Sequence, residues 1–380
     1  MAQAILEFDA HPAHPATGFE LGWDFAHHAV TPPVDHLQPG SPLRHGWEAG
    51  RVSFGARTLE PTRHVRKWLQ LRLSAWARGR AFEGVQVTPN YLKQIDVAWC
   101  PVTRERLTHQ TGEPSDASVD RVRNDAGYAA GNLAVMSTRA NAAKGQFGFD
   151  QALSAMRESE ARGLEPVDGL TAGQWSRVAL LCSFVTELPH AQAAGLPLLL
   201  MPPNRLRLHN PIQALQAIVT RAFVQPDWRR RVAALAALLP GKVLRRDFQV
   251  FVHALLPRVL EARRPTHALE WNWILEDAWH NPLVLRCWTR VARQLNADQA
   301  EQIVLRACAK RLCTQRVESL SQARATEGWA LETRGYMPRG CQPFAHADET
   351  DANGARPVLP LHTAMPAVPP ALIEWQMPPA

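Results

Sequence analysis

The chain has 380 residues, 46% of them hydrophobic and 20% charged, which is enough apolar material for a sizeable core and excludes wholesale disorder. A length of this order fits two or three domains of ordinary size better than one small module. Lys and Arg number 42 against 35 Asp and Glu, so the formal charge is +7, a balance that favours polyanionic partners. Lysine occurs only at positions 67, 93, 144, 242 and 310; the other basic residues are Arg, whose fork suits bidentate phosphate contact. Six cysteines, at 100, 182, 287, 308, 313 and 341, form no CxxC pair and are too sparse for a disulfide scaffold, so reduced thiols are expected. The opening residues MAQAILEFDAHPAHP lack a basic stretch followed by a long apolar one, so no signal peptide is expected. The most apolar run, 195–201, is broken by Pro197 and is too short to span a bilayer. A soluble, cytoplasmic chain with no membrane partner is the expectation.

Residues 1–58 are rich in Pro, His and Gly without a sustained period. His11, His14, His27, His28, His36 and His45 crowd there at irregular spacing and form no paired ligand motif, so the stretch reads as an irregular arm rather than a metal site. A basic amphipathic helix is predicted within 59–87, starting near Thr62. Val65, Trp68, Leu69, Leu73 and Trp76 recur at three- and four-residue steps and define one apolar face. Arg63, Arg66, Lys67, Arg72, Arg78 and Arg80 populate much of the remainder, either laid along a phosphate backbone or simply facing water.

In 88–150 a short strand is predicted over 118–122, with β-branched Val119 and Val122, then a turn-rich loop over 124–131 and a second apolar strand over 132–136. Ser137 or Thr138 can cap a following helix that contains Asn141. A hairpin packed on a helix brings Asp120 near Asn141. A carboxylate and an amide carbonyl are hard oxygen ligands that suit Mg²⁺ or Mn²⁺ better than Zn²⁺. A cation held so lightly is what phosphodiester hydrolysis uses to stabilise charge on the phosphate and the leaving oxygen.

From 171 to 325 helical periods alternate with Pro-marked turns, which predicts an all-α domain of helices joined by short connections. Within it, 201–250 carries nine basic residues against Asp227 and Asp247, including the run Arg229, Arg230 and Arg231, which can grip phosphates or fan around a helix into water. Trp271, Trp273, Trp279 and Trp288 sit at helical spacing beside apolar neighbours, so core packing is expected of them before base stacking. The Pro-rich segment 336–380 reads as a flexible tail. The fold class expected is α+β, mostly α: a small ββα-metal module followed by an all-α helical domain.

The pattern C-P-x-T…S-V-D-R-V…G-Y…G-N-L-A-V…R-A-N-x-x-K-G, spread over about 45 residues of 100–145, resembles an HNH-type (ββα-metal) endonuclease module. It is closest to the phage-associated variety, whose usual wording is S-L-D-R-I-D…G-Y…G-N-V…N-x-x-K. The resemblance covers about an eighth of the chain. It implies that Asp120 and Asn141 hold Mg²⁺ or Mn²⁺, that Asn132 ties the loop to the strand, and that Gly127, Tyr128 and Gly131 shape that loop. It also implies that Lys144, with Arg139 beside it, meets DNA phosphate. Arg121 stands where well-understood members carry the general-base His; a guanidinium cannot accept a proton at neutral pH, but it can bind the scissile phosphate. The base is then His109 or bulk hydroxide. Only Cys100 occupies a zinc-knuckle position, with Thr103 where the partner thiol would sit, so no structural zinc is expected. The expected function is metal-dependent cleavage or nicking of nucleic acid, DNA foremost, with Arg63, Arg66, Lys67 and Arg229–Arg231 supplying sequence-independent affinity. The alternatives are a non-catalytic nucleic-acid binder on a degenerate scaffold, and a protein-interaction platform built on the helical domain. Modules of this kind are frequent in phages, mobile elements and bacterial defence systems.

Overall fold

A computed structural model of the chain describes residues 14–163, 165–261, 268–313, 316–331 and 372–376. The stretch expected to be an irregular arm instead holds two helices, α1 (Pro15–His27) and α2 (Pro42–Phe54), each with Pro in its first turn. They pack at very close range. A Cβ on Gly22 would lie 1.9 Å from the Leu43 carbonyl oxygen, and one on Gly46 would lie 1.8 Å from that of Phe19. Glycines that count against a helix by propensity are here the points where two backbones meet.

Next comes α3 (Arg63–Ala77), capped by Thr62, whose hydroxyl accepts from Val65 N at 3.2 Å. Val65, Trp68, Leu69, Leu73 and Trp76 are all buried on its inner face. Arg72 is buried too and pairs with Asp24 of α1 over the Trp68 ring, so it does not belong to the solvated basic face. The short helix α4 (Pro89–Ile95) leads to a hairpin of β1 (Ala117–Arg121) and β2 (Leu133–Ser137). The two strands are antiparallel, with Val119 opposite Val135 and Asp120 opposite Ala134. The helix α5 (Thr138–Lys144) follows at once, with Ser137 as its cap.

The remainder is mainly helical: α6 (Phe149–Ala161), α7 (Ala172–Phe184), α8 (His190–Ala194), α9 (Pro211–Ala222), α10 (Trp228–Leu238), α11 (Lys242–Glu261), α12 (Ala268–Ala278), α13 (Pro282–Ala292), α14 (Ala297–Ala309) and α15 (Gln322–Ala325). Two strands interrupt what was expected to be all-α, β3 (Arg207–Leu208) and β4 (Arg316–Leu320). They flank β5 (Leu372–Gln376) in a three-stranded antiparallel sheet of order β3-β5-β4. The two-residue strand β3 has no period to read. Apart from β5, the segment expected to be a flexible tail lies outside the described residues.

Buried apolar side chains from Leu21 to Trp329 form one continuous core. Trp279 and Trp288 meet Phe251 in it with ring centroids 5.4–5.8 Å apart, so these two tryptophans are packing residues. The protein is therefore mostly helical with small antiparallel sheets. Among the described residues no helix is long and apolar enough to cross a membrane.

Candidate functional site

Side chains alternate along β1, so Ser118 and Asp120 share one face while Ala117 and Val119 point to the other. On α5, Asn141 and Lys144 are three residues apart and share the face turned to Ser118 and Asp120. Asn141 Nδ2 donates to Ser118 Oγ at 2.7 Å. Lys144 Nζ lies 2.9 Å from Asp120 Oδ2, 3.1 Å from the Arg121 carbonyl and 3.5 Å from Asn124 Oδ1. An ammonium has three N–H donors and no acceptor, and three oxygens surround this one. Lys144 is fully buried, so it is not presented to a phosphate as expected; its charge is spent on Asp120.

The surroundings are dry. Burial pushes the Asp120 carboxyl up, and the Lys144 ammonium opposes that rise. Below them, on α7, burial drives the Cys182 thiol up to about 12, with Lys144 acting against the shift and Asp120 adding to it. The pair is thus sealed between the hairpin, α5 and α7.

The donor set can be tested against the divalent cation that the resemblance implies. Mg²⁺ needs near-octahedral oxygen at about 2.0–2.1 Å and usually keeps several waters. Asp120 and Asn141 face one gap, as such a site requires. Asp120 Oδ2, however, lies 2.9 Å from an ammonium that is covalently part of the chain, and both groups are buried. The residues as placed do not fit a resident divalent ion.

Of the other expected site residues, Arg121 and Asn132 are bonded to the loop backbone, as was expected of Asn132, and His109 lies apart from them. Arg121 is buried, its Nη1 donating to the Asn124 carbonyl at 2.9 Å and the Ala126 carbonyl at 2.7 Å, with its guanidinium over the Tyr128 ring. Asn132 is fully buried and holds the loop: its Oδ1 accepts from Arg123 N at 2.8 Å, and its Nδ2 donates to the Arg123 and Gly127 carbonyls at 3.0 Å each. His109 is exposed on the opposite face of the hairpin, beside Ala117 and Val119, with Arg63 Nη1 2.7 Å from its Nε2. A base there cannot serve Asp120, because the sheet stands between them.

The candidate phosphate contacts divide in the same way. Arg66 and Arg229 are exposed, the latter stacked over Trp228. Arg230 and Arg231 are both held by Asp227, and Arg231 also donates to the Arg311 carbonyl at 3.1 Å. Arg139 is half-buried and paired with Glu105 at 3.2 Å. Arg63 pairs with Asp96, and Lys67 donates to the Ala117 carbonyl at 3.3 Å, so Arg63, Lys67 and His109 converge on one pocket.

Sequence reasoning missed the residues that clamp the hairpin loop from outside. Gly131 has φ +88° and donates its N–H to the Tyr91 hydroxyl at 2.9 Å. The Arg207 side chain lies so close that a Cβ on Gly131 would sit 2.3 Å from its carbons. Trp329 Nε1 donates to the Ala130 carbonyl at 3.0 Å, and the Trp329 carbonyl accepts from Gly127 N at 2.7 Å. The glycines were the only local signal of this clamp. Cys100, fully buried, accepts through sulfur from Thr103 N and Ser137 N at 3.4 and 3.3 Å and so stitches its loop to the start of α5. Among the described residues no group of three or more His, Cys, Asp or Glu is placed to hold a metal. Comparisons with protein-family models, with curated proteins and with solved structures find no match to this chain.

Proposed function

We propose that this chain is a nucleic-acid-binding protein that keeps a hairpin–helix scaffold of HNH type without metal-dependent hydrolysis. The observation that carries the proposal is the seat of Lys144. Its ammonium sits 2.9 Å from the Asp120 carboxylate, at the point where a nuclease of that type would place its metal. Arg121 and Asn132 are committed to backbone carbonyls and amides, and His109, the expected base among the described residues, lies across the sheet. Affinity for the polyanion comes from the chain's excess of +7 and from exposed side chains such as Arg66 and Arg229. DNA is the expected partner.

One observation favours the nuclease as a second reading. Ser118, Asp120 and Asn141 still face one gap, and withdrawal of Lys144 would free oxygen ligands there. A supercoiled-plasmid assay in Mg²⁺, Mn²⁺ or EDTA, run beside gel-shift binding, separates the two. Salt-sensitive binding with no nicking under any metal is the expected result. Metal-dependent nicking that disappears in Asp120→Ala and Asn141→Ala would overturn the proposal in favour of the nuclease. Absence of binding at moderate salt would refute both.

A further inference from the structure

On the face of the hairpin away from Asp120, a pocket opens between the first turns of α3, the end of α4 and the loop at 109–110. Ala117, Val119, Val135 and Leu92 floor it, and Arg63, His64, Lys67, Asp96 and His109 stand around it. Asp96 organises the rim: it accepts from Arg63 Nη2 and lies 3.0 Å from His64 Nε2. Arg63 reaches His109 with its other terminal nitrogen, at 2.7 Å. Lys67 is anchored to the Ala117 carbonyl, and burial lowers its pKa, so its ammonium lies partly desolvated at the pocket wall.

Three features make this an anion site. First, the fixed charges lining the pocket are Arg63 and Lys67 against Asp96, with Asp116 acting on Lys67 from outside the lining. Second, a guanidinium has five N–H donors and an ammonium three, so the bonds described leave donor capacity for a ligand on both Arg63 and Lys67. Third, the rim stands on the positive end of α3, a helix of 15 residues with no acidic residue in its first turn. Arg63 in that turn opposes the macrodipole, and the Asp96 carboxylate that accepts from it offsets that charge. The cavity, about 80 Å³, is far below the roughly 300 Å³ at which small-molecule sites begin, so it suits one tetrahedral oxyanion and not a nucleobase.

We infer that the pocket bounded by Arg63, His64, Lys67 and His109 binds one phosphate group of a nucleic-acid strand. It would fix the strand at a point on the opposite face of the hairpin from Asp120. A terminal phosphate and a backbone phosphodiester present the same oxygens to it. The inference relies on the nucleic-acid proposal above for the source of the phosphate, but not for the site itself.

Thermal unfolding of the full chain in inorganic phosphate against chloride at matched ionic strength tests the site directly. A saturable rise in Tm is expected for the wild type and for Arg258→Gln, a distant surface control. The half-saturating concentration should increase at least tenfold in Arg63→Gln and in Lys67→Gln, each of which loses a charge-assisted contact. No saturable rise in the wild type, or a rise that survives in both pocket variants, overturns the site. Anisotropy titrations with single-stranded oligonucleotides bearing a 5′-phosphate or a 5′-hydroxyl then read the source. A tenfold preference for the 5′-phosphate, lost in the variants, assigns a chain end. Equal affinity, with a salt slope about 0.7 smaller in each variant, assigns a backbone phosphate. Phosphate binding without oligonucleotide binding keeps the site and overturns the nucleic-acid source, whereas oligonucleotide binding unchanged in both variants keeps the nucleic-acid proposal and overturns this pocket's part in it.

Discussion

Replacing Lys144 with Met is the most informative single change. Met keeps much of the stem's volume, removes the ammonium and leaves the Asp120 carboxylate buried without its counter-ion. Breaking a buried pair in this way costs about 3–5 kcal/mol, whereas neutralising both partners in Asp120→Asn/Lys144→Met should cost much less. The cycle should therefore show a favourable coupling of about 2 kcal/mol or more. The penalty must also depend on pH in a defined direction. Burial holds the Asp120 carboxyl above its unfolded value, and Lys144 pulls it back. A folded pKa above the unfolded one means stability that is whole below the unfolded value and is lost as pH rises through the folded one. Without Lys144 the folded value climbs further, and each added unit deepens the loss by about 1.4 kcal/mol. The penalty of Lys144→Met should accordingly be larger at pH 8 than at pH 5, measured by urea unfolding followed through Trp fluorescence. A penalty below about 1 kcal/mol and equal at both pH values would refute the counter-ion role.

Gly131→Ala should lose about 2–4 kcal/mol in the same unfolding assay, since φ +88° and the Arg207 side chain both oppose a Cβ; a loss below 1 kcal/mol would mean the clamp is loose. Gly22→Ala drives a methyl into the Leu43 carbonyl and should loosen α1 from α2, seen as faster limited proteolysis ahead of α3, while Gly173→Ala, with open space at its Cβ and no positive φ, should not speed it. Glu276 is buried and held at about 7, with burial raising its pKa against the Met201 N–H and Arg104. Its contribution is whole below the unfolded value near 4.5 and is lost as pH rises through about 7, so Glu276→Gln should flatten the decline in stability between pH 5 and 8, a span worth roughly 3 kcal/mol. An unchanged slope would place that decline elsewhere.

The helices with one apolar stripe were legible because period 3.6 is written locally: α3 falls where Val65–Trp76 predict it, and α7, α9, α10 and α14 lie within the 171–325 stretch read as helical. The hairpin and α5 were legible for a similar reason, through β-branched alternation and a Ser cap. The α1/α2 pair was not, because Gly22 and Gly46 do their work through a partner helix about 24 residues away, and propensity counts each only as a breaker. The β3-β5-β4 sheet joins segments more than 50 residues apart, a distance over which no local pattern carries pairing.

For the site, spacing put Asn141 on the helix face that meets β1 at Ser118 but could not say which groups were already taken. Asn-x-x-Lys places the lysine one turn beyond the asparagine, on the same face of α5, and that face is turned inward. The Lys144 side chain therefore follows the route Asn141 takes and ends on the carboxylate that was read as a metal ligand. A basic residue read from the sequence as a phosphate contact is, three residues later on a buried face, a counter-ion. Among the described residues, Arg66 and Arg229 are exposed at the surface, and Arg63 with Lys67 stand around a pocket lined by the one carboxylate of Asp96. The proposed phosphate pocket and the Lys144–Asp120 pair lie on opposite faces of the same two strands, so Lys144→Met can alter one while Arg63→Gln alters the other. Near-additive effects in the double variant, on stability and on oligonucleotide affinity alike, are what that separation requires.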